Sequence, residues 1–200
     1  MPVKYSPAAT AAAGAAAAAV PPNILLASLD YGDAAWLKAK LSVQANAAAA
    51  PGGAHTADQL IEDTTSGNHE LKQTFTKPAG ATTLFASVAA KAAGRTQAYL
   101  NLDDNSSTNR AFIRVDLTTG ANQSATVAGT VGIVAHGADP LGGDWWRLWM
   151  VCSLPAEAGT YAIRPRVYGS AASYLGDGAS GILLARAQVH FSSAILPYQY

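Results

Sequence analysis

The sequence holds one cysteine, Cys152. That excludes an intramolecular disulfide and a thiolate cage for zinc, so packing alone must hold the fold. Charge is sparse: 13 Lys and Arg balance 13 Asp and Glu in 200 residues, for a net charge of zero. A nucleic-acid binder draws its affinity from clustered cations that neutralise phosphate, and no such cluster occurs. Nor is there a polybasic segment for a membrane surface. The motifs G-x-S-x-G and H-E-x-x-H are missing. His55, His69, His136 and His190 fall without ligand spacing, so neither a metal site nor a cofactor is expected. "GDGASG" (Gly176 to Gly181) fits G-x-G-x-x-G by count. The dinucleotide motif opens a helix, whereas a strand-like run follows here, so a glycine-rich turn is expected.

Long apolar runs of large residues are also lacking. Half of the residues are hydrophobic, but many are alanine, which buries little area. "AATAAAGAAAAAV" (Ala8 to Val20) has no Leu, Ile or Phe and is broken by Gly14. It is too short to span a bilayer and reads better as an extended or partly helical arm than as a cleaved signal. Residues 1–22 are therefore assigned to an anchoring arm, and residues 23–200 to one domain. From Asn23 onward, short apolar runs alternate with turn clusters such as "TTSGNH", "LDDNSSTN" and "PAEAGT". That spacing, without a long 3.6-residue period, predicts an all-β antiparallel sandwich. One helical turn is expected over Asp33 to Lys40, capped by Asp33.

Side chains alternate between the two faces of a strand. In "WWRLWMVC", Trp146, Leu148, Met150 and Cys152 take one face, and Trp145, Arg147, Trp149 and Val151 take the other. The same division recurs in "AFIRVDL", where Ala111, Ile113, Val115 and Leu117 oppose Phe112, Arg114 and Asp116. In "YAIRPRVY", Tyr161, Ile163 and Val167 oppose Arg164, Arg166 and Tyr168. In "AYLNLD", Leu100 and Leu102 oppose Tyr99, Asn101 and Asp103. The apolar sets form the core. Pro165 falls on the apolar phase and is expected to mark an edge or a bulge. The second sets mix rings with guanidinium and amide groups, and wet tryptophans forgo burial worth about 1.5–3 kcal/mol each. They are read as one shared binding face of Trp145, Arg147, Trp149, Arg114, Arg166 and Tyr168, open to glycan or to a protein partner. The alternative is that loops or a neighbouring subunit cover that face. Glu62-Asp63 and Asp103-Asp104 are expected to be solvated turn acids, with a calcium-supported loop as the alternative. Cys152 is expected to be buried and inert. Asn105 and Asn122 are formal glycosylation acceptors.

The chain resembles carbohydrate-binding-module-like jelly-roll domains of bacteriophage virion proteins. The resemblance runs through "NILLASLDYGDAAW", "AAAAPGGAHTADQLIED", "LFASVAAKAAGR", "VDLTTG", "GGDWWR", "GDGASGILLARAQV" and "ILPYQY" in order. Arg186 stands where such domains often carry an aromatic before "AQ". The resemblance implies a two-sheet jelly roll in a virion, as a head or tail fibre, spike or decoration protein, and implies no catalysis. The expected partners are other virion proteins, reached through residues 1–22, host surface polysaccharide, and further copies of the chain. A structural adaptor that binds no sugar is the alternative. A polysaccharide-degrading enzyme, using a carboxylate pair drawn from Asp103, Asp116 and Asp144, is a more distant one.

Overall fold

A computed structural model describes residues 20–53, 55–106 and 108–198. The expected arm conformation over residues 1–19 lies outside the described residues. Every regular element within them is a strand. In chain order these are β1 (Leu37–Ala39), β2 (Leu41–Ala49), β3 (Thr56–Glu62), β4 (Ser66–Gly67), β5 (His69–Lys77), β6 (Thr83–Ala93) and β7 (Gln97–Asp103). They continue with β8 (Arg110–Asp116), β9 (Asn122–Ala128), β10 (Gly132–Gly142), β11 (Trp145–Ser153), β12 (Gly159–Tyr168), β13 (Tyr174–Leu175) and β14 (Gly181–His190).

The first sheet runs β1-β5-β12-β7-β8-β9 and the second β10-β11-β6-β14-β3-β2, while β13 and β4 form a small ribbon. Without the outer strands β1, β2, β9 and β10 and the ribbon, eight strands remain. Numbered in chain order, they read 1-8-3-6 in the second sheet and 2-7-4-5 in the first. That is the double Greek key of a jelly roll, the expected architecture.

The expected core phases hold. Leu100, Leu102, Ala111, Ile113, Val115, Ile163 and Val167 from the first sheet meet Val88, Leu148, Met150, Cys152, Ile182 and Leu184 from the second. Cys152 is fully buried, and desolvation pushes its thiol up to about 12. The glycine-rich stretch before β14 is a turn, as expected: Asp177 Oδ1 accepts from the Ala179 and Ser180 amides at 2.9 and 2.7 Å.

Two local expectations fail. The helical turn stops early: the Ala35 amide donates to Asp33 Oδ1 at 2.7 Å and the Trp36 amide to Asp33 O at 3.1 Å, and β1 then begins. An isolated turn is unstable alone, whereas burying Trp36 and pairing Leu37–Ala39 with β5 stabilises the extended chain. Pro165 is not at an edge, because β12 lies between β5 and β7 and Pro165 pairs with Leu100. The ladder to β5 passes from Ile163↔Gln73 to Arg166↔Glu70. The interruption accommodates the residue that lacks an N–H.

The entry to the domain is tied to β14. Asn23 Oδ1 accepts from the Val189 amide at 3.0 Å, and His190 Nδ1 lies 2.8 and 3.0 Å from the carbonyls of Pro21 and Pro22.

Candidate functional site

The residues expected to share one face lie on opposite sides of the sandwich. Trp145, Arg147 and Trp149 sit on the outer face of the second sheet, and Arg114, Arg166 and Tyr168 on the outer face of the first. Alternation decides which face of its own sheet a side chain takes, but not which sheet its strand joins.

The chain itself covers much of the second sheet's outer face. Trp145 is only 5% exposed, packed among Ala50, Ala57, Ala89, Leu183 and Ala185. Trp149 packs with Phe85, Val151 and Leu196. Its ring lies on Gly137, where a Cβ would come within 2.6 Å of Cζ2, so only glycine leaves it room. Arg147 donates to the Leu196 carbonyl and lies 5.2 Å above the Phe85 ring. Desolvation lowers its pKa, against the opposing effect of Asp139. Arg186, at φ 55° in a bulge of β14, donates to the Pro51 carbonyl. The open aromatic face expected here is therefore closed at Trp145 and roofed by the segment around Leu196. Trp146 points inward as expected but is only half-buried, at the rim of the core.

The outer face of the first sheet is built differently. Four central strands deliver Glu70 from β5, Arg164, Arg166 and Tyr168 from β12, Tyr99, Asn101 and Asp103 from β7, and Arg110, Phe112 and Arg114 from β8. Cross-strand register sets Tyr99 between Arg166 and Arg114, and Asn101 between Arg164 and Phe112. Tyr99 meets Phe112 edge-on at 5.0 Å and Tyr168 at 5.1 Å. Arg166 lies 5.9 Å over the Tyr99 ring and Arg114 lies 4.7 Å over Tyr168. Burial, with Tyr168 adjacent, raises the Tyr99 phenol pKa.

Beside these rings lies a charged cluster. Arg164 reaches Asp103 Oδ2 at 2.5 Å and Glu70 Oε1 at 2.8 Å, and Arg166 reaches Glu70 Oε2 at 2.5 Å. Burial opposes the charge of Arg164, but its bonds to Asp103 and Glu70 outweigh that and raise its pKa. Asn101 Nδ2 donates to Asp103 Oδ2 at 2.9 Å. Because that acceptor is a carboxylate, the amide orientation is settled and Oδ1 points elsewhere. Asn101 Oδ1 is buried without a hydrogen-bond partner, and so are Nε of Arg166 and Nε of Arg114. Tyr99, Asn101, Arg110, Phe112 and Arg166, with Ala172 of the loop after β12, line an open cavity of about 150 Å³. Of the residues singled out in the sequence, Arg166 lines it, while Arg114 and Tyr168 flank it. Tyr99, Asn101, Arg110 and Phe112 were missed as site residues, although three of them share the polar phase already visible in "AYLNLD" and "AFIRVDL".

The acids expected to be solvated are not uniformly so. Glu62 and Asp103 are fully buried in ion pairs with Arg95 and Arg164. Asp63 and Asp104 instead accept from the adjacent turns, at Thr65 and Ser106. Of the acids considered for catalysis, Asp103 is held by Arg164, Asp116 accepts from the amide and hydroxyl of Thr118 at 2.8 and 2.6 Å, and Asp144 lies 3.6 Å from Lys91.

No family model matches the chain, and no curated protein does. Among solved structures it is similar to the carbohydrate-binding module TmCBM61, solved in complex with β-1,4-galactotriose. The identity is 14% and the TM-score 0.48, over 84% of this chain and 98% of that one. It is also similar to the enzymatically active domain of tailspike protein 4 of bacteriophage CBA120, at 14% identity and TM-score 0.44. That match covers 81% of this chain, which spans only 21% of the tailspike domain's length.

Proposed function

We propose that the protein is a non-enzymatic jelly roll of a phage or phage-like virion, a fibre, spike or decoration protein that binds host surface glycan through the outer face of its first sheet. One observation carries the reading. The cavity over Tyr99 and Phe112 sets ring surface beside the guanidinium groups of Arg110 and Arg166 and the amide of Asn101. Sugars offer both complements, C–H faces for rings and hydroxyls that donate and accept.

The non-enzymatic part of the reading is supported by the partners of Asp103 and Asp116, the first held by Arg164 and the second by the turn at Thr118. A shallow site of this size binds in the millimolar to micromolar range. Useful adhesion then needs many copies, since linkage raises avidity by roughly 10²–10⁴. An arm over residues 1–22 that anchors the domain to other virion proteins would provide them.

The test is a glycan array with oligomeric protein, comparing wild type with Phe112→Ala and Trp149→Ala. Loss in Phe112→Ala of at least about fivefold, the loss of roughly 1 kcal/mol of ring contact, with Trp149→Ala unchanged, is the expected result. Absence of binding to any envelope glycan would assign the protein to the adaptor role instead.

A further inference from the structure

The charge on the same face narrows the class of glycan. The outward phase of β5, β7, β8 and β12 carries Lys72, Arg110, Arg114, Arg164 and Arg166 against Glu70, Asp103 and Asp116. That is an excess of two positive charges in a chain whose net charge is zero. The acids are already committed: Glu70 and Asp103 to Arg164 and Arg166, and Asp116 to Thr118. Among the described residues, neither Arg110 nor Arg114 has a carboxylate within 4 Å. Arg110 is exposed at the start of β8 and lines the cavity together with Arg166.

The cavity wall thus presents the Arg110 guanidinium fork without a counter-ion, beside Arg166, which is already paired with Glu70. A planar carboxylate suits the fork better than a hydroxyl, because its two oxygens accept from it in a bidentate pair. The rings of Tyr99 and Phe112 beside it suit the C–H face of the sugar that carries the carboxylate.

Resting on the glycan-binding reading above, we infer that the ligand is an acidic polysaccharide of hexuronic or sialic acid units, whose carboxylate is held by the Arg110 guanidinium at the cavity wall.

The experiment uses the full chain and the envelope polysaccharides it binds on the array, each in native form and after chemical reduction of its carboxyl groups to alcohols. Binding is measured by biolayer interferometry at low and at physiological salt. Carboxyl reduction should weaken binding by at least about tenfold, the contribution of one charge-assisted hydrogen bond. Arg110→Gln should bring the native polymer down to the level of the reduced one, with an unchanged melting temperature because Arg110 is exposed. Added salt should weaken the native polymer more than the reduced one. Equal binding of the two forms, or a preference that survives Arg110→Gln, overturns the acidic assignment and leaves glycan binding standing. If no polysaccharide in either form binds, glycan binding itself fails.

Discussion

Trp145→Ala should destabilise the domain by about 4 kcal/mol, more than Trp146→Ala, although Trp146 is the residue whose phase points to the core. The Trp145 indole is 5% exposed. A tryptophan buries up to about 250 Å², worth about 6 kcal/mol at 25 cal/mol per Å². The methyl kept by alanine and the residual burial of a compact unfolded chain bring this to about 4 kcal/mol, within the usual 3–5 for such truncations. Collapse cannot recover much of it. The walls are largely the methyls of Ala57, Ala89 and Ala185 on paired strands, which have no side chain long enough to fill the hole. Trp146 is half-buried at the core rim, so its truncation should cost about 2 kcal/mol by the same area argument. Urea titrations followed by far-ultraviolet circular dichroism, which does not depend on indole fluorescence, give the two values. A larger loss for Trp146→Ala would refute the burial of Trp145.

Glu62 is fully buried, and burial alone would raise its pKa, but bonds from Arg95, Tyr174 and the Asp177 amide outweigh that and lower it from 4.5. Its contribution is therefore complete above about pH 4.5 and lost as pH falls through the depressed folded value. Glu62→Gln should cost about 3 kcal/mol at pH 7 and flatten the acid limb of a stability–pH profile, and an unaltered limb would exclude Glu62 as its source. Cys152 should resist a thiol reagent in the native protein and react at the rate of global unfolding, checked by stopping the reaction at intervals in increasing urea. A chain beginning at Val20 should melt like the full chain. One beginning at Asn23 loses the Pro21 and Pro22 carbonyls that face His190 and should be less stable by about 1 kcal/mol, as calorimetry will show.

The core was legible in the sequence because alternation is local. Ile113 and Leu148 declare their face through neighbours two residues away, and both are fully buried. Sheet membership was not legible. Trp145 and Arg166 follow the same phase rule, yet β11 and β12 join different sheets, and only the Greek-key crossover between them decides this. Burial on the outer faces was equally hidden. The cover over Trp145 and Trp149 comes from the alanine-rich segment around Ala50 and from Leu196, far away in the chain. Asp103 looked like a turn acid because its partner Arg164 lies 61 residues on. Phe112 and Asn101 were visible as an outward-facing ring and amide, but their juxtaposition needed the β7–β8 register.

The most direct test of the first-sheet site is a nuclear magnetic resonance titration of the isotopically labelled protein with an oligosaccharide cut from a polysaccharide that it binds on the array. Shift changes should centre on the backbone amides of Tyr99, Asn101, Phe112 and Arg166 and on the Asn101 side-chain amide. The indole signals of Trp145 and Trp149, on the far side of the sandwich, should stay in place. Shifts confined to those two indoles, with the first sheet silent, would contradict the assignment of the glycan site.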